Sequence, residues 1–166
     1  GEGFENICRA IKTLSQMHPA VHFIYPVHLN PNVQEPVYRI LGFNQSRSPG
    51  NRNNIHLIEP QGYIEFVSLM SKACLILTDS GGVQEEAPSL GKPVLVMRNT
   101  TERTEAISGG DALLVGTSME SIINYVDRVL AGKSSFEKNH SHHNPFGDGL
   151  ASQRIVSYLL NYLFTD

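Results

Sequence analysis

The sequence predicts an α/β fold in which a parallel sheet carries helices on both faces. Short apolar runs of strand length alternate with stretches in which apolar residues recur every three or four positions. This alternation is typical of parallel sheets, whose successive strands are joined by crossover helices. A third observation is the turn Ser80-Gly81-Gly82, which lies between an apolar run and a helical stretch. Sheets of this class bind ligands beyond the carboxyl ends of their strands.

The predicted helices follow from apolar residues at helical spacing. Residues 4–17 form the first, with Phe4, Ile7 and Leu14 among its apolar positions, and Pro19 ends it. The others are predicted within 33–41, 63–70, 83–90, 122–130 and 155–163. Pro88 falls late in the fourth of these helices, so we expect that helix to be short or kinked.

Short apolar runs predict the strands, at 21–25, 55–58, 75–77, 94–97 and 113–115. Four polar loops follow strand ends, at 28–31, 59–62, 79–82 and 98–105, and we expect them to gather on one edge of the sheet. Residues 43–54 read as a surface loop, and 133–150 as an irregular segment.

Composition narrows the function classes. At 166 residues and 40% apolar content the chain has the size of one globular domain, 1–166. A net charge of -3 gives no basic face for nucleic acid, and the absence of an 18-residue apolar run argues against a membrane span. Cys8 and Cys74 lie in apolar segments, so we expect two buried thiols and a reducing, cytoplasmic compartment. Because the chain starts at Gly1 without Met, we expect it to be part of a longer protein.

The turn at Ser80, Gly81 and Gly82 is the candidate phosphate site. Glycines let the backbone approach a ligand, and the first N–H groups of a helix have no partner within the helix. The helix dipole adds partial positive charge at the same place. The alternative is an ordinary tight turn between strand and helix, since short glycine motifs are common.

Charged residues around this turn are the next candidates. Glu86 or Glu85 could accept the hydroxyls of a ribose, or simply favour the start of a helix. Arg98 and Arg103 flank a Thr-Thr-Glu loop, and one of them could pair with phosphate oxygens while the other is a surface residue. Asp79 is expected to hold the turn by hydrogen bonds rather than to act as a base.

Four further observations are open to two interpretations or argue against a site. Phe66 could pack on a base or belong to the core, and His28 could contact a ligand or have no role. His140, His142 and His143 do not have the spacing of a zinc site, so we expect a solvated loop and neither metal nor cofactor. No nucleophile–base pair can be assigned, so the chain looks like half of an active site.

Three separated motifs resemble the non-hydrolysing UDP-N-acetylglucosamine 2-epimerases. They are TDSGGVQEEAPSLGKPVLVMRNTTERTEA at 78–106, YPVHLNPNV at 25–33 and HNPFGDGLAS at 143–152. That family has a GT-B type architecture of two Rossmann-like lobes, and this chain is similar to the C-terminal lobe. The resemblance implies an isomerase that interconverts UDP-GlcNAc and UDP-ManNAc by elimination and re-addition of UDP. It also implies a missing N-terminal lobe that carries the catalytic residues, none of them being in this chain, and a homodimer at full length.

The resemblance also implies residue roles. Ser80, Gly81 and Gly82 match diphosphate contacts, and Glu86 matches a ribose contact. Phe66 and Gln61 match the uracil side, Arg103 a position near the phosphates, and His28 a histidine associated with a second, regulatory UDP-GlcNAc. Residues Ser46 to Asn53 look like an insertion relative to the family, and Thr104 stands where many members have Pro.

Two other functions fit the same residues. A GT-B glycosyltransferase lobe would share the glycine turn and the ribose glutamate, although the Gln84-Glu85-Glu86 run and the TTER loop favour the epimerase. A nucleotide-binding module without catalytic activity is the other alternative. We expect chain 1–166 by itself to bind UDP weakly and to turn over nothing.

Overall fold

A computed structural model describes residues 1–42, 54–108, 110, 112–133 and 146–164. Most of the predicted loop at 43–54, the suspected insertion at Ser46 to Asn53, and the histidines at 140, 142 and 143 lie outside the described residues. Within the described part of the chain, no helix has the length and apolar character needed to cross a membrane.

Strands and helices alternate as the sequence predicted. The strands are β1 (Phe23–Pro26), β2 (Ile55–Ile58), β3 (Ile76–Thr78), β4 (Val94–Val96) and β5 (Ala112–Leu114). The helices are α1 (Glu2–Met17), α2 (Pro31–Ile40), α3 (Tyr63–Lys72), α4 (Gly81–Glu86), α5 (Thr104–Ser108), α6 (Met119–Leu130) and α7 (Ala151–Phe164), with a 3-10 helix at Ala87–Leu90.

All the recorded strand pairings are parallel, which confirms the predicted fold class. β1 pairs with β2, with Phe23 opposite Ile55, and β4 lies between β3 and β5 in a three-stranded sheet. Parallel pairing brings the carboxyl ends of neighbouring strands, and the loops that follow them, to the same edge.

Helices cover both faces of the three-stranded sheet, as alternate residues of β4 show. Val94 and Val96 point into a core that includes Met70 of α3 and Ala87 of the 3-10 helix. Leu95 belongs to a second core built on α1, α2 and α6. Since side chains of a strand alternate between faces, a strand of three buried residues needs a cover on each side.

Two local predictions have clear structural outcomes. The helix that was predicted over 83–90 ends as α4 at Glu86 and continues as a 3-10 helix, so Pro88 shortens it as expected. The prediction that Cys74 is buried was wrong: Cys8 is buried and Cys74 is exposed. Cys74 lies in the bend between α3 and β3, so the apolar run containing it begins before the strand reaches the core.

A buried asparagine ties the start of β2 to the α1–β1 connection. The Asn54 side-chain amide donates to the carbonyl oxygens of Ser15, His18 and Val21 at 3.2, 3.1 and 2.6 Å. The main-chain carbonyl of Asn54 accepts from the Phe23 N–H at 2.7 Å. These bonds satisfy carbonyl groups that the turn leaves without helical or strand partners.

Candidate functional site

The candidate site begins where β3 runs into α4. The Ser80 N–H donates to Thr78 Oγ1 at 3.0 Å, so Thr78, rather than Asp79 as predicted, supplies the hydrogen bond recorded at this turn. Ser80 is the N-cap of α4 and makes no side-chain capping bond. The first amides of α4 follow it, and such amides have no partner within a helix.

Gly81 lies against the loop that follows β4. A Cβ atom at this position would be 3.2 Å from Glu102 Oε1 and 3.8 Å from Arg103 Nη2. The glycine therefore lets charged side chains of a distant loop approach the backbone of the turn. Residues far apart in sequence thus meet at one edge of the sheet, as the strand order predicted.

Buried Gln84 connects the turn to the same loop. Its side chain is 0% exposed, donates to the Ser80 carbonyl at 3.1 Å and accepts from Thr101 Oγ1 at 2.7 Å. Thr101 Oγ1 in turn accepts from the Arg103 N–H at 3.1 Å. A continuous run of hydrogen bonds therefore fixes the backbone of Arg103 relative to the glycine turn.

Two ion pairs place both candidate arginines beside carboxylates. Arg103 Nε contacts Glu85 Oε1, and because this buried nitrogen has no well-directed hydrogen bond, the contact is best described as an ion pair. Arg98 Nη1 donates to both carboxylate oxygens of Glu102, at 3.2 and 2.9 Å. An anion arriving at the turn would compete with Glu85 for Arg103.

Glu102 and Tyr25 have pKa values shifted in opposite directions. The pKa of Glu102 lies below its ordinary value because its carboxylate accepts a hydrogen bond from its own amide and another from Arg98. Burial raises the pKa of the Tyr25 phenol, and the charges of Cys8 and Asp79 add to that effect.

The structure places the remaining predicted residues as follows. Phe66 is partly buried and packs against the core beneath β4, which favours its interpretation as a core residue. Glu86 is half-buried at the end of α4. In the described part of the chain, the recorded hydrogen bonds of His28 and Gln61 are local: Asn30 N–H donates to His28 Nδ1, and Gln61 Nε2 donates to the Glu59 carbonyl. The structure thus brings Arg103, Glu85 and Gly81 together directly.

Sequence reasoning placed the loop 98–105 at this edge but gave no individual role to Gln84, Thr101 or Glu102. Gln84 carried a usable signal, because it lies four residues after Ser80 and three residues before the buried Ala87, and both spacings place residues on one helix face. Thr101 lies in the loop after β4, whereas Gln84 lies in α4. Their hydrogen bond depends on tertiary packing, which no local sequence pattern predicts.

Comparisons with known proteins agree on one family. The family model described as UDP-N-acetylglucosamine 2-epimerase matches residues 1–160. The UDP-N-acetylglucosamine 2-epimerase of Yersinia pestis is 54% identical over 99% of this chain, which covers 42% of that protein. The enzyme of the same name from Escherichia coli K12 is 52% identical over 97% of the chain, which covers 41% of it.

Solved structures give the same result. The chain matches a Neisseria meningitidis UDP-GlcNAc 2-epimerase bound to UDP-GlcNAc with a TM-score of 0.85 and 47% identity, covering 97% of this chain and 41% of that one. It matches S. aureus MnaA, in a co-structure with UDP, with a TM-score of 0.85 and 37% identity, covering 98% and 42%. The chain spans about two-fifths of the length of these relatives. It belongs to the UDP-N-acetylglucosamine 2-epimerase family.

Proposed function

We propose that this chain is the UDP-binding lobe of an enzyme that interconverts UDP-GlcNAc and UDP-ManNAc by eliminating and re-adding UDP. The observation that carries the proposal is the meeting of Arg103 with the backbone of Gly81 beside the open amides of α4. The solved relatives bound to UDP-GlcNAc and to UDP support it, since the chain matches them over nearly its whole length. Family membership favours this function over the glycosyltransferase alternative.

In the proposed site the diphosphate lies at Ser80, Gly81 and Gly82. Its charge displaces Glu85 from Arg103, whose guanidinium then pairs with phosphate oxygens in the bidentate geometry that arginine favours. Departure of UDP leaves negative charge on the phosphate, so donors fixed beforehand stabilise the transition state as well as the bound nucleotide.

The nucleoside end of the proposed site lies between Glu86 and α3. Glu86 accepts the ribose hydroxyls, and the segment from Gln61 to Phe66 faces the uracil. Because Phe66 packs into the core, its contribution would come through the outer edge of its ring and through the backbone of α3. His28 keeps its proposed regulatory role only as a prediction.

A second lobe is proposed to complete the active site, and the exposure of α7 supports it. Ile155, Tyr158, Leu160 and Leu163 are 58, 71, 52 and 66% exposed, and the sequence from 155 to 164 carries no charged residue. Soluble proteins rarely leave so much contiguous apolar surface uncovered. The remaining three-fifths of the relatives' length is the proposed cover, and it would supply the catalytic residues; dimerisation at full length stays a prediction.

Calorimetric titration of UDP and of uridine into the chain tests the phosphate assignment. We expect Arg103→Gln to weaken UDP binding by about ten- to hundredfold, the size of a lost charged hydrogen bond of about 1.5–3 kcal/mol. Uridine affinity should not change. Arg9→Gln, which alters an exposed arginine on α1, is the matched control. Equal UDP affinity in wild type and Arg103→Gln would contradict the proposal.

Two further measurements separate the nucleoside end from catalysis. Glu86→Ala should weaken both UDP and uridine by about 1–3 kcal/mol, and an unchanged affinity would remove the ribose assignment. Epimerisation of UDP-GlcNAc, followed by proton NMR with no sugar acceptor, should be absent from chain 1–166 and present in the full-length protein. Inactivity of the full-length protein would favour a binding module without catalysis.

A further inference from the structure

The ion pair between Glu85 and Arg103 uses a guanidinium that the proposed diphosphate also needs. Arg103 Nε contacts Glu85 Oε1, and Nη2 of the same group lies 3.8 Å from the place that a Cβ atom of Gly81 would take. The guanidinium is therefore held by a carboxylate of α4 while it lies beside the glycine turn. Carboxylate and phosphate both present oxygen atoms that pair with arginine, so the two groups compete for it.

The charge at this edge of the sheet opposes an incoming anion as long as no side chain moves. Segments 79–86 and 98–103 carry four carboxylates and two arginines, which gives a formal net charge of -2. A diphosphate placed beside all four carboxylates would be repelled by them. Anion binding is therefore favoured when at least one carboxylate withdraws. The four are Asp79, Glu85, Glu86 and Glu102.

Of the two carboxylates that pair with the arginines, Glu85 is the more easily displaced. Among the described residues, the contact with Arg103 is the recorded side-chain contact of Glu85. Glu102, by contrast, accepts two hydrogen bonds from Arg98, at 3.2 and 2.9 Å. The Glu85 side chain is 39% exposed, so a change of rotamer can take its carboxylate into water. Arg103 Nε is buried and needs a counter-charge, which either Glu85 or a phosphate can supply.

We propose that Glu85 is an intramolecular competitor that occupies Arg103 in the empty lobe and lowers its affinity for UDP. This inference rests on the proposed function, because it takes the diphosphate to lie at the glycine turn. The ion pair must break before Arg103 can bind phosphate, so the free energy of breaking it is subtracted from the binding free energy. Uridine has no phosphate and avoids this cost. Return of Glu85 to Arg103 also stabilises the empty lobe and so favours release of UDP.

Calorimetric titration of UDP and of uridine into chain 1–166 carrying Glu85→Gln tests the proposal. We expect UDP to bind about three- to fivefold more tightly than to the wild type, the effect of removing a partly exposed ion pair from the empty lobe, and uridine affinity to be unchanged. In the Arg103→Gln background, Glu85→Gln should change UDP affinity by less than about 1.5-fold, because the group competed for is absent.

Glu35→Gln is the matched control for the change in net charge. It removes a carboxylate from another exposed glutamate that pairs with an arginine, Arg39 of α2. If a lost negative charge improved UDP binding only through the general field of the protein, this variant would bind UDP more tightly as well. We expect its UDP affinity to stay within about 1.5-fold of the wild type, because salt screens exposed charges.

The outcomes separate this inference from the proposed function. If Arg103→Gln weakens UDP binding but Glu85→Gln tightens it by less than about twofold, or weakens it, the competition is refuted and the proposed function stands. An equal gain in the Arg103→Gln background would also refute the competition, since it would reflect general repulsion. Equal UDP affinity in wild type and Arg103→Gln would overturn the proposed function and this inference with it. Circular dichroism checks that each variant is folded, and Glu85→Ala replaces Glu85→Gln if that variant is not.

Discussion

The hydrogen bond between Gln84 and Thr101 offers the sharpest test of how the candidate site is held together. Gln84→Met keeps the volume of the buried side chain but removes its bonds to the Ser80 carbonyl and Thr101 Oγ1, at 3.1 and 2.7 Å. Thr101→Val removes the hydroxyl that donates to Gln84 and so breaks the same hydrogen bond. Because Thr101 also accepts from the Arg103 N–H, both changes loosen the loop that carries Arg103.

The expected cost follows from the number of bonds lost. Each neutral hydrogen bond contributes about 1 kcal/mol, so Gln84→Met should lower the free energy of unfolding by about 2 kcal/mol. For a chain of this size that corresponds to a fall in Tm of about 4–8 °C. Since the two residues share one bond, the double variant should be less destabilised than the sum of the single variants by about 1 kcal/mol.

Urea unfolding followed by circular dichroism measures the free energy of unfolding of the wild type, the two single variants and the double variant. Gln16→Met, which changes an exposed glutamine on α1, is the control and should shift stability by less than about 0.5 kcal/mol. The contact would be refuted if the destabilisation of the double variant equalled the sum of the Gln84→Met and Thr101→Val effects to within about 0.3 kcal/mol. We also expect both variants to weaken UDP binding, since Arg103 would no longer be held in position.

Three other measurements probe the rest of the chain. Asn54→Ala should cost about 1–3 kcal/mol in urea unfolding, because buried carbonyls lose their donor, and a loss below about 0.5 kcal/mol would contradict that role. Burial raises the pKa of Cys8 to about 11. At pH 8 a thiol reagent should therefore label only the exposed Cys74 in the native chain, and both cysteines in denaturant. Rapid reaction of two equivalents of reagent with the native chain would show that Cys8 is accessible. Arg39 lowers the pKa of Glu5 below 4.5, so the ion pair stabilises the fold above about pH 4.5 and its contribution is lost as pH falls through the lowered pKa. Glu5→Gln should therefore narrow the difference in urea midpoint between pH 7 and pH 3, and an unchanged difference would show that the pair contributes nothing.

The order of strands and helices could be predicted because each element carries its own pattern. The apolar spacing of α1 and the proline in the helix after β3 are local signals, and the structure agrees with both. The prediction for Cys74 failed since an apolar run does not show where a strand begins, and the first residues of this run lie in a surface bend. α5 begins at Thr104, within the region predicted as a loop, and has only five residues.

The candidate site was predictable in part for the same reason. The turn at Ser80 to Gly82 could be located from its neighbours in sequence. The pairing of Arg103 with Glu85 and the burial of Gln84 depend on how the β4–α5 loop folds back over α4. Such contacts join segments about twenty residues apart, and they are fixed by packing rather than by local propensity.

The exposed apolar helix at the end of the described chain has a practical consequence. The helix α7 exposes seven large hydrophobic side chains to water. Such a surface promotes self-association of the chain as protein concentration rises. A dimer of chain 1–166 detected by gel filtration would therefore reflect association through the exposed α7 helices. The subunit arrangement of the proposed two-lobed enzyme is therefore measured on a protein that contains both lobes.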